Sequence, residues 1–139
     1  MIPTRLILDT GVLLALFNNQ DDYHSSAVQG FNVLDTAHTR LIAPSCVVLE
    51  TAKRLLFDVN AAAMQKATLA MHQTLEILDT MPRTIQDALE LTLSLNKWGA
   101  TLEDAIVINT ALALTAPVWT LNYRDFGAIK NLEFWTPFP

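Results

Sequence analysis

Short apolar runs alternate along this chain with longer segments in which apolar residues recur every three or four positions. The runs at 5–8, 41–43 and 118–121 each stop at a polar residue or a proline, which predicts short buried β-strands. Two further runs, at 77–78 and 132–135, predict a brief edge strand and a last strand at an edge. The pattern therefore predicts a sheet assembled from strands that are far apart in sequence.

Apolar spacings of three and four residues predict helices between these strands. The predicted helices are 12–17, a helix capped by Asp21 or Asp22 that runs through Leu34, 46–59 capped by Ser45, 60–75, 84–98 ended by Gly99, and 102–114 capped by Thr101, with a helical fragment within 122–128. Strands separated by helices indicate a parallel sheet with helices on both faces. We expect an α/β fold, a three-layer α/β/α sandwich around a short, mostly parallel sheet.

Composition narrows the class of protein. The chain has 139 residues, 51% of them hydrophobic and 17% charged, without repeats or linker-like stretches, so a single domain over 1–139 is expected and disorder is excluded. No apolar run reaches the ~20 residues of a membrane span, and no secretory leader is evident. One cysteine, Cys46, cannot form an internal disulfide. We expect a cytoplasmic protein.

Charge bears on the partners. A net charge of −5 argues against broad nucleic-acid binding through a basic face. It does not exclude a nuclease, because a divalent ion bound among carboxylates reverses the local field.

Four acidic residues lie among apolar neighbours: Asp9, Glu50, Asp104 and Asp125. Asp9 ends the first strand and Asn122 follows the late one, so both are expected at the same edge of a parallel sheet, where ligands bind beyond the strand ends. Oxygen ligands suit Mg²⁺ or Mn²⁺. Such ions activate water and stabilise the charge on a phosphodiester during cleavage.

Each acid also has a purely structural explanation. Asp9 could cap the following helix, and Asp104 could complement a helix dipole in the first turn. Glu50 could pair with Lys53 or Arg54, three and four residues on. Spacing by itself leaves both explanations open.

Asp125 and two arginines also have both a structural and a functional explanation. Asp125 beside Arg124 could be a solvated loop charge. Arg124 and Arg54 are the best cations for a phosphate at the sheet edge, and the alternative for each is a salt bridge, to Asp125 and Glu50 respectively.

Four segments resemble, in order, the motifs of the PIN-domain family. They are residues 6–16 (LILDTGVLLAL), 44–50 (PSCVVLE), 102–112 (LEDAIVINTAL) and 118–126 (VWTLNYRDF). Together they span nearly the whole chain. The resemblance implies a compact α/β fold and metal-dependent ribonuclease activity. Many small members are toxins of bacterial toxin–antitoxin pairs, often dimeric and blocked by an antitoxin.

The resemblance also assigns roles to individual residues. Asp9, Glu50 and Asp104 match the family's metal-binding acids. Thr10 and Thr120 are expected to orient carboxylates or a water through their hydroxyls.

Two positions depart from the family pattern. Gly11 stands where Asn is common, and Asn122 stands where a fourth acid is usual. Asp125, three residues further on, could replace that acid, with Arg124 beside it for the substrate. These departures leave two alternatives open, a complete second metal site or a weakened one.

The leading hypothesis is therefore a Mg²⁺- or Mn²⁺-dependent endoribonuclease acting on RNA, with an antitoxin protein as a candidate partner. The competing hypothesis is a non-catalytic module that keeps the fold and binds RNA or a protein. A metal-dependent phosphatase is a third class. The high apolar content of a small domain also predicts a homodimer.

Overall fold

Four short strands form one parallel sheet in the computed structural model, which describes residues 1–138. The strands are β1 (Arg5–Leu8), β2 (Arg40–Pro44), β3 (Glu76–Leu78) and β4 (Val118–Trp119). Their order is β3-β2-β1-β4, and every neighbouring pair is parallel. The central strand β1 buries Leu6, Ile7 and Leu8 completely, as expected for a parallel strand covered on both faces.

Helices connect the strands, which confirms the predicted α/β class. They are α1 (Thr10–Phe17), α2 (His24–Thr36), α3 (Ser45–Asp58), α4 (Ala61–Thr74), α5 (Pro82–Ser94), α6 (Leu102–Leu114) and α7 (Tyr123–Phe126). Within residues 1–138, none of these helices has the length and apolar character needed to cross a membrane.

The register of the sheet brings the first and last motifs together. Leu8 of β1 pairs with Trp119 of β4. The Asp9 amide donates to the Trp119 carbonyl at 3.2 Å. The residues that follow the two strands, Asp9 and Thr120, therefore leave the sheet side by side at its carboxyl edge.

Two predicted helix caps are wrong. Helix α2 follows Tyr23 and has no side-chain cap; Asp21 instead accepts a hydrogen bond from the Tyr23 amide at 2.8 Å, in the turn before the helix. Ser45 is the first residue of α3 rather than its cap, and its hydroxyl lies 2.7 Å from the Thr80 hydroxyl. In both cases the side chain predicted to cap the helix forms its hydrogen bond in a turn or with a loop residue instead.

The predicted end of α5 is also wrong. The helix stops at Ser94 instead of continuing to residue 98, and Gly99 does not terminate it. Lys97 adopts a left-handed conformation with φ 56°. The indole of Trp98 then turns to donate to the Asp125 carbonyl at 2.9 Å. A tertiary contact with α7 thus ends the helix before its amphipathic pattern does.

The last predicted strand is reduced to one bridge. Phe134 pairs in parallel with Val118, and the amide of Trp135 donates to the Val118 carbonyl at 3.0 Å. Strand β4 ends after two residues because Thr120 turns towards Asp9. Residues 132–135 therefore have only a two-residue strand to pair with, and they form a single bridge instead of a strand.

Candidate active site

Asp9 is the most buried acid at the carboxyl edge, with 6% of its surface exposed. One carboxylate oxygen accepts the Thr10 amide at 2.8 Å and caps α1. The other accepts the Thr120 hydroxyl at 2.7 Å. The cap predicted as an alternative is real, and it fixes the carboxylate in place beside β4.

Glu50 lies next to this pair through a second threonine. The Thr10 hydroxyl donates to Glu50 Oε2 at 3.0 Å, which joins α1 to α3. The predicted pairing of Glu50 with Lys53 or Arg54 is wrong. Arg54 instead approaches Asp58 at 3.9 Å, one turn further along α3, and this leaves Glu50 directed at α1.

Asp104 stands at the start of α6. Its carboxylate accepts the Thr101 amide at 3.0 Å, and the Thr101 hydroxyl accepts the Asp104 amide at 3.1 Å. This reciprocal capping box satisfies two helix donors, and a negative charge in the first turn complements the helix dipole. Among the described residues the cap uses one oxygen, Oδ2, so Oδ1 remains for another ligand.

Asp125 belongs to the same edge and is not a solvated loop charge. Only 7% of the residue is exposed. Asn122 caps α7 and donates its side-chain amide to Asp125 Oδ2 at 3.0 Å, and Arg124 approaches the same oxygen at 3.4 Å. The backbone amide of Asn122 in turn donates to the Thr120 hydroxyl at 3.0 Å. Thr120 therefore links the Asp125 cluster to Asp9.

The carboxylates at this edge influence one another's pKa. Burial raises the pKa of Asp9 to about 6, and repulsion from Asp104 and Glu50 adds to the rise despite the hydrogen bonds from Thr120 and Thr10. Burial also raises the pKa of Asp104, and the charge of Asp125 contributes.

Asp125 behaves in the opposite way. The hydrogen bond from Asn122 and the charge of Arg124 lower the pKa of its carboxyl group. This acid is thus stabilised as an anion, whereas Asp9 and Asp104 carry unfavourable negative charge.

The donor chemistry at this edge fits a hard divalent ion, since the groups are carboxylate, hydroxyl and amide oxygens. Burial and mutual repulsion of the acids are the conditions that such an ion relieves. Among residues 1–138, however, no group of three or more His, Cys, Asp or Glu side chains is arranged to hold a metal as it stands. A tightly bound ion would require the side chains of the edge to adjust.

Two residues of this site were not expected from the sequence. Trp98 holds the backbone of Asp125 through its indole, and Gly99 packs beside the Asp125 carboxylate, where a Cβ would lie in contact with Oδ1 at 3.4 Å. No sequence signal points to either role. The pairing of Thr101 with Asp104 does have a signal, the threonine-x-x-acid spacing of a capping box.

The PIN domain family model matches residues 6–132, nearly the whole chain. The chain belongs to the PIN domain family. The predicted resemblance is therefore confirmed, and all four motif segments lie within the matched range. No curated protein matches the chain.

Solved structures with the same fold give further comparison for this PIN domain. VapC20 of Mycobacterium tuberculosis, a toxin that cleaves the sarcin-ricin loop, has a TM-score of 0.77 at 17% identity, covering 88% of this chain and 93% of that one. VapBC2 of Rickettsia felis, bound to a promoter DNA fragment, has a TM-score of 0.72 at 20% identity, covering 94% and 97%. FitAcB of Neisseria gonorrhoeae has a TM-score of 0.66 at 16% identity, covering 96% of this chain and 98% of that one. At these identities the likeness establishes the fold.

The raised pKa of Asp9 predicts a pH-dependent stability in metal-free buffer. Between the ordinary value of 3.8 and about 6, the folded protein holds a proton that the unfolded chain has lost. The free energy of unfolding should therefore fall as pH rises through this window, by roughly 2–3 kcal/mol, and Asp9→Asn should remove most of the fall. Urea denaturation in EDTA at a series of pH values measures it.

Asp87→Asn is the matched control for this measurement. Asp87 lies on α5 and pairs with Arg83 at 3.0 Å on the surface, so its replacement should leave the fall in place. If Asp9→Asn showed the same dependence of unfolding free energy on pH as the wild type, the raised pKa assigned to Asp9 would be contradicted.

Proposed function

We propose that this PIN domain is a metal-dependent endoribonuclease that cleaves RNA phosphodiesters. The observation that carries the proposal is the buried Asp9 carboxylate at the end of the central strand, with its pKa raised to about 6 by burial and by two neighbouring acids. A protein keeps such an uncompensated charge at a cost. A divalent cation is the partner that removes this cost and supplies chemistry.

Asp9 and Asp104 would hold Mg²⁺ or Mn²⁺, with Glu50 joining directly or through water. When bound, the ion polarises the phosphate and lowers the pKa of an attacking water. The hydroxyl of Thr120 keeps the Asp9 carboxylate in one orientation, and the hydroxyl of Thr10 does the same for Glu50. These outer hydrogen bonds set ligand orientation and basicity.

Asp125, Asn122 and Arg124 would form the substrate side of the site. Asn122 and Arg124 keep Asp125 ionised and oriented. The Arg124 side chain is 85% exposed, so its guanidinium is free to reach a phosphate oxygen of a bound RNA. Asp125 thus takes the place expected for the family's fourth acid, with Asn122 as its support.

A role as the toxin of a toxin–antitoxin pair extends the proposal. Structures with this fold include a toxin from Mycobacterium tuberculosis and a toxin–antitoxin complex from Klebsiella pneumoniae. By analogy with such complexes, an antitoxin protein encoded with this chain would be its partner, covering the acidic edge until released.

Replacement of the two central acids should abolish cleavage. Asp9→Asn and Asp104→Asn each remove a charged metal ligand while keeping the size of the side chain and one acceptor oxygen, so a loss of at least about 100-fold is expected with Mn²⁺ present. The measurement is the rate of cleavage of a labelled single-stranded RNA, with circular dichroism to verify folding.

Asp87→Asn serves again as the control and should cleave at the wild-type rate. A small phosphate ester tested in parallel separates a nuclease from a phosphatase. Normal RNA cleavage by both acid variants would refute the assignment of these acids.

A second candidate, a PIN-like module that binds RNA or a protein without cleaving, is favoured by two observations. Asn122 stands at the position of the fourth acid, and no three-ligand group is formed within the described part of the chain. Calorimetric titration with Mn²⁺ distinguishes the candidates. The nuclease should bind the ion in the wild type and lose binding in Asp9→Asn, whereas the module would bind no metal at millimolar concentration.

A homodimer belongs to the same proposal. Helix α5 and its cap expose four apolar side chains spaced four residues apart: Met81, Ile85, Leu89 and Leu93. A row of this kind is suited to packing against a second copy of the chain.

Leu93→Glu should therefore convert the dimer to a monomer, because Leu93 is 85% exposed and a buried charge would oppose association. Sedimentation equilibrium at micromolar concentration measures the mass of the assembly and so distinguishes dimer from monomer. The matched control is Leu69→Glu, an exposed leucine on α4, which should remain dimeric. A wild-type monomer at these concentrations would overturn the prediction.

A further inference from the structure

A cavity of about 530 Å³ lies beside the carboxylates, between the α5–α6 connection and α7. Its walls include Asn96, Lys97 and Trp98 from the connection and Arg124 and Asp125 from α7. The volume lies within the range of roughly 300–1,000 Å³ that small-ligand sites occupy. None of the roles assigned above to the carboxylates uses the connection side of this cavity.

The charge of the cavity contrasts with that of the chain. Two cations, Lys97 and Arg124, face one acid, Asp125, whereas the whole chain carries a net charge of −5. Lys97 forms no ion pair with any of residues 1–138. Arg124 shares only a 3.4 Å contact with its sequence neighbour, and such exposed pairs are weak. Both side chains are available to an anion.

The connection that carries Lys97 is held firmly in place. The Trp98 indole donates to the Asp125 carbonyl at 2.9 Å, and Gly99 passes against the Asp125 carboxylate. Lys97 itself has a left-handed backbone, which sets the direction of its side chain at the turn. A half-buried indole in a fixed position is a surface on which a nucleobase can stack.

The cavity also adjoins the proposed cleavage site. Asp125 lines the cavity, and hydrogen bonds through Asn122 and Thr120 connect it to Asp9. An RNA strand with one phosphate at the carboxylate edge would therefore place a neighbouring nucleotide here.

We propose that this cavity is a nucleotide subsite, in which Lys97 and Arg124 bind an RNA phosphate next to the cleaved one and Trp98 contacts its base. The inference rests on the proposed function for the identity of the ligand. It adds a substrate-binding role for Lys97 and Trp98, which lie outside the four motif segments. Single-stranded RNA suits the subsite because backbone charge and a stacking platform are its usual means of recognition.

Binding of a short labelled single-stranded RNA in EDTA at low ionic strength tests the subsite without cleavage. Lys97→Gln should weaken binding several-fold and reduce the slope of log affinity against log salt by about 0.7, the value for one lost phosphate contact on a single strand. Lys97→Arg should restore both. Lys66→Gln is the control, because Lys66 is exposed on α4, which leads into β3 at the opposite edge of the sheet from β4.

Two further measurements separate a subsite from a merely structural role. In Mn²⁺, Lys97→Gln should raise KM for RNA and leave kcat unchanged, as expected for an interaction made equally in the ground and transition states. RNA should also quench tryptophan fluorescence, and Trp98→Phe should remove that quenching, since Trp119 is buried and the half-buried Trp135 lines a different cavity, beside residues 1–5.

The outcomes keep this inference distinct from the proposed activity. A protein that does not cleave RNA, but binds it in a Lys97-dependent manner, would refute the nuclease and retain the subsite. Lys97→Gln with the affinity, salt slope and KM of Lys66→Gln would overturn the subsite even if the wild type cleaves. Failure of the wild type to bind RNA would overturn it as well.

Discussion

The constraint on which the site depends is the removal of the Asp9 carboxylate from water at the end of the central strand. A strand with neighbours on both sides and helices on both faces has no solvent at its end except through the carboxyl edge. The carboxylate keeps its charge through two hydrogen bonds, from the Thr10 amide and the Thr120 hydroxyl. These do not balance the cost of burial, since the pKa still rises to about 6. The remaining imbalance is what a bound cation would relieve.

The structural roles of the side chains at this edge coincide with the functional roles that we propose for them. Asp9 and Asn122 cap the helices that follow them, and Asp104 completes the capping box of α6 with Thr101, so the hydrogen bonds at the starts of α1, α6 and α7 also fix the directions of these side chains. The helix dipoles add positive potential where the acids gather. The Asp9 and Asp104 carboxylates are held in this way by backbone amides at the starts of α1 and α6. The chemistry of the site then depends on the sheet register that aligns the helix starts.

The distribution of charge would allow this acidic chain to bind the nucleic-acid substrate that we propose. Three of the other cations, Arg40, Arg54 and Arg83, are paired with acids on the surface. Lys97 and Arg124 share the cavity beside the carboxylates. Local arrangement, and not net charge, therefore governs where a phosphate can bind.

The hydrophobic pattern by itself determined the strands around the sheet centre, the α/β class and the positions of Asp9 and Asp104 at element ends, because these follow from local periodicity and from capping within one turn. The four ordered motifs also sufficed to predict the family. Only the tertiary structure decided four other features: the partner of Glu50, the burial of Asp125, the early end of α5 and the reduction of the last strand to one bridge. Each of these depends on a contact between residues far apart in sequence, such as Thr10 with Glu50 or Trp98 with Asp125, and competition among such contacts leaves no periodic signal along the chain.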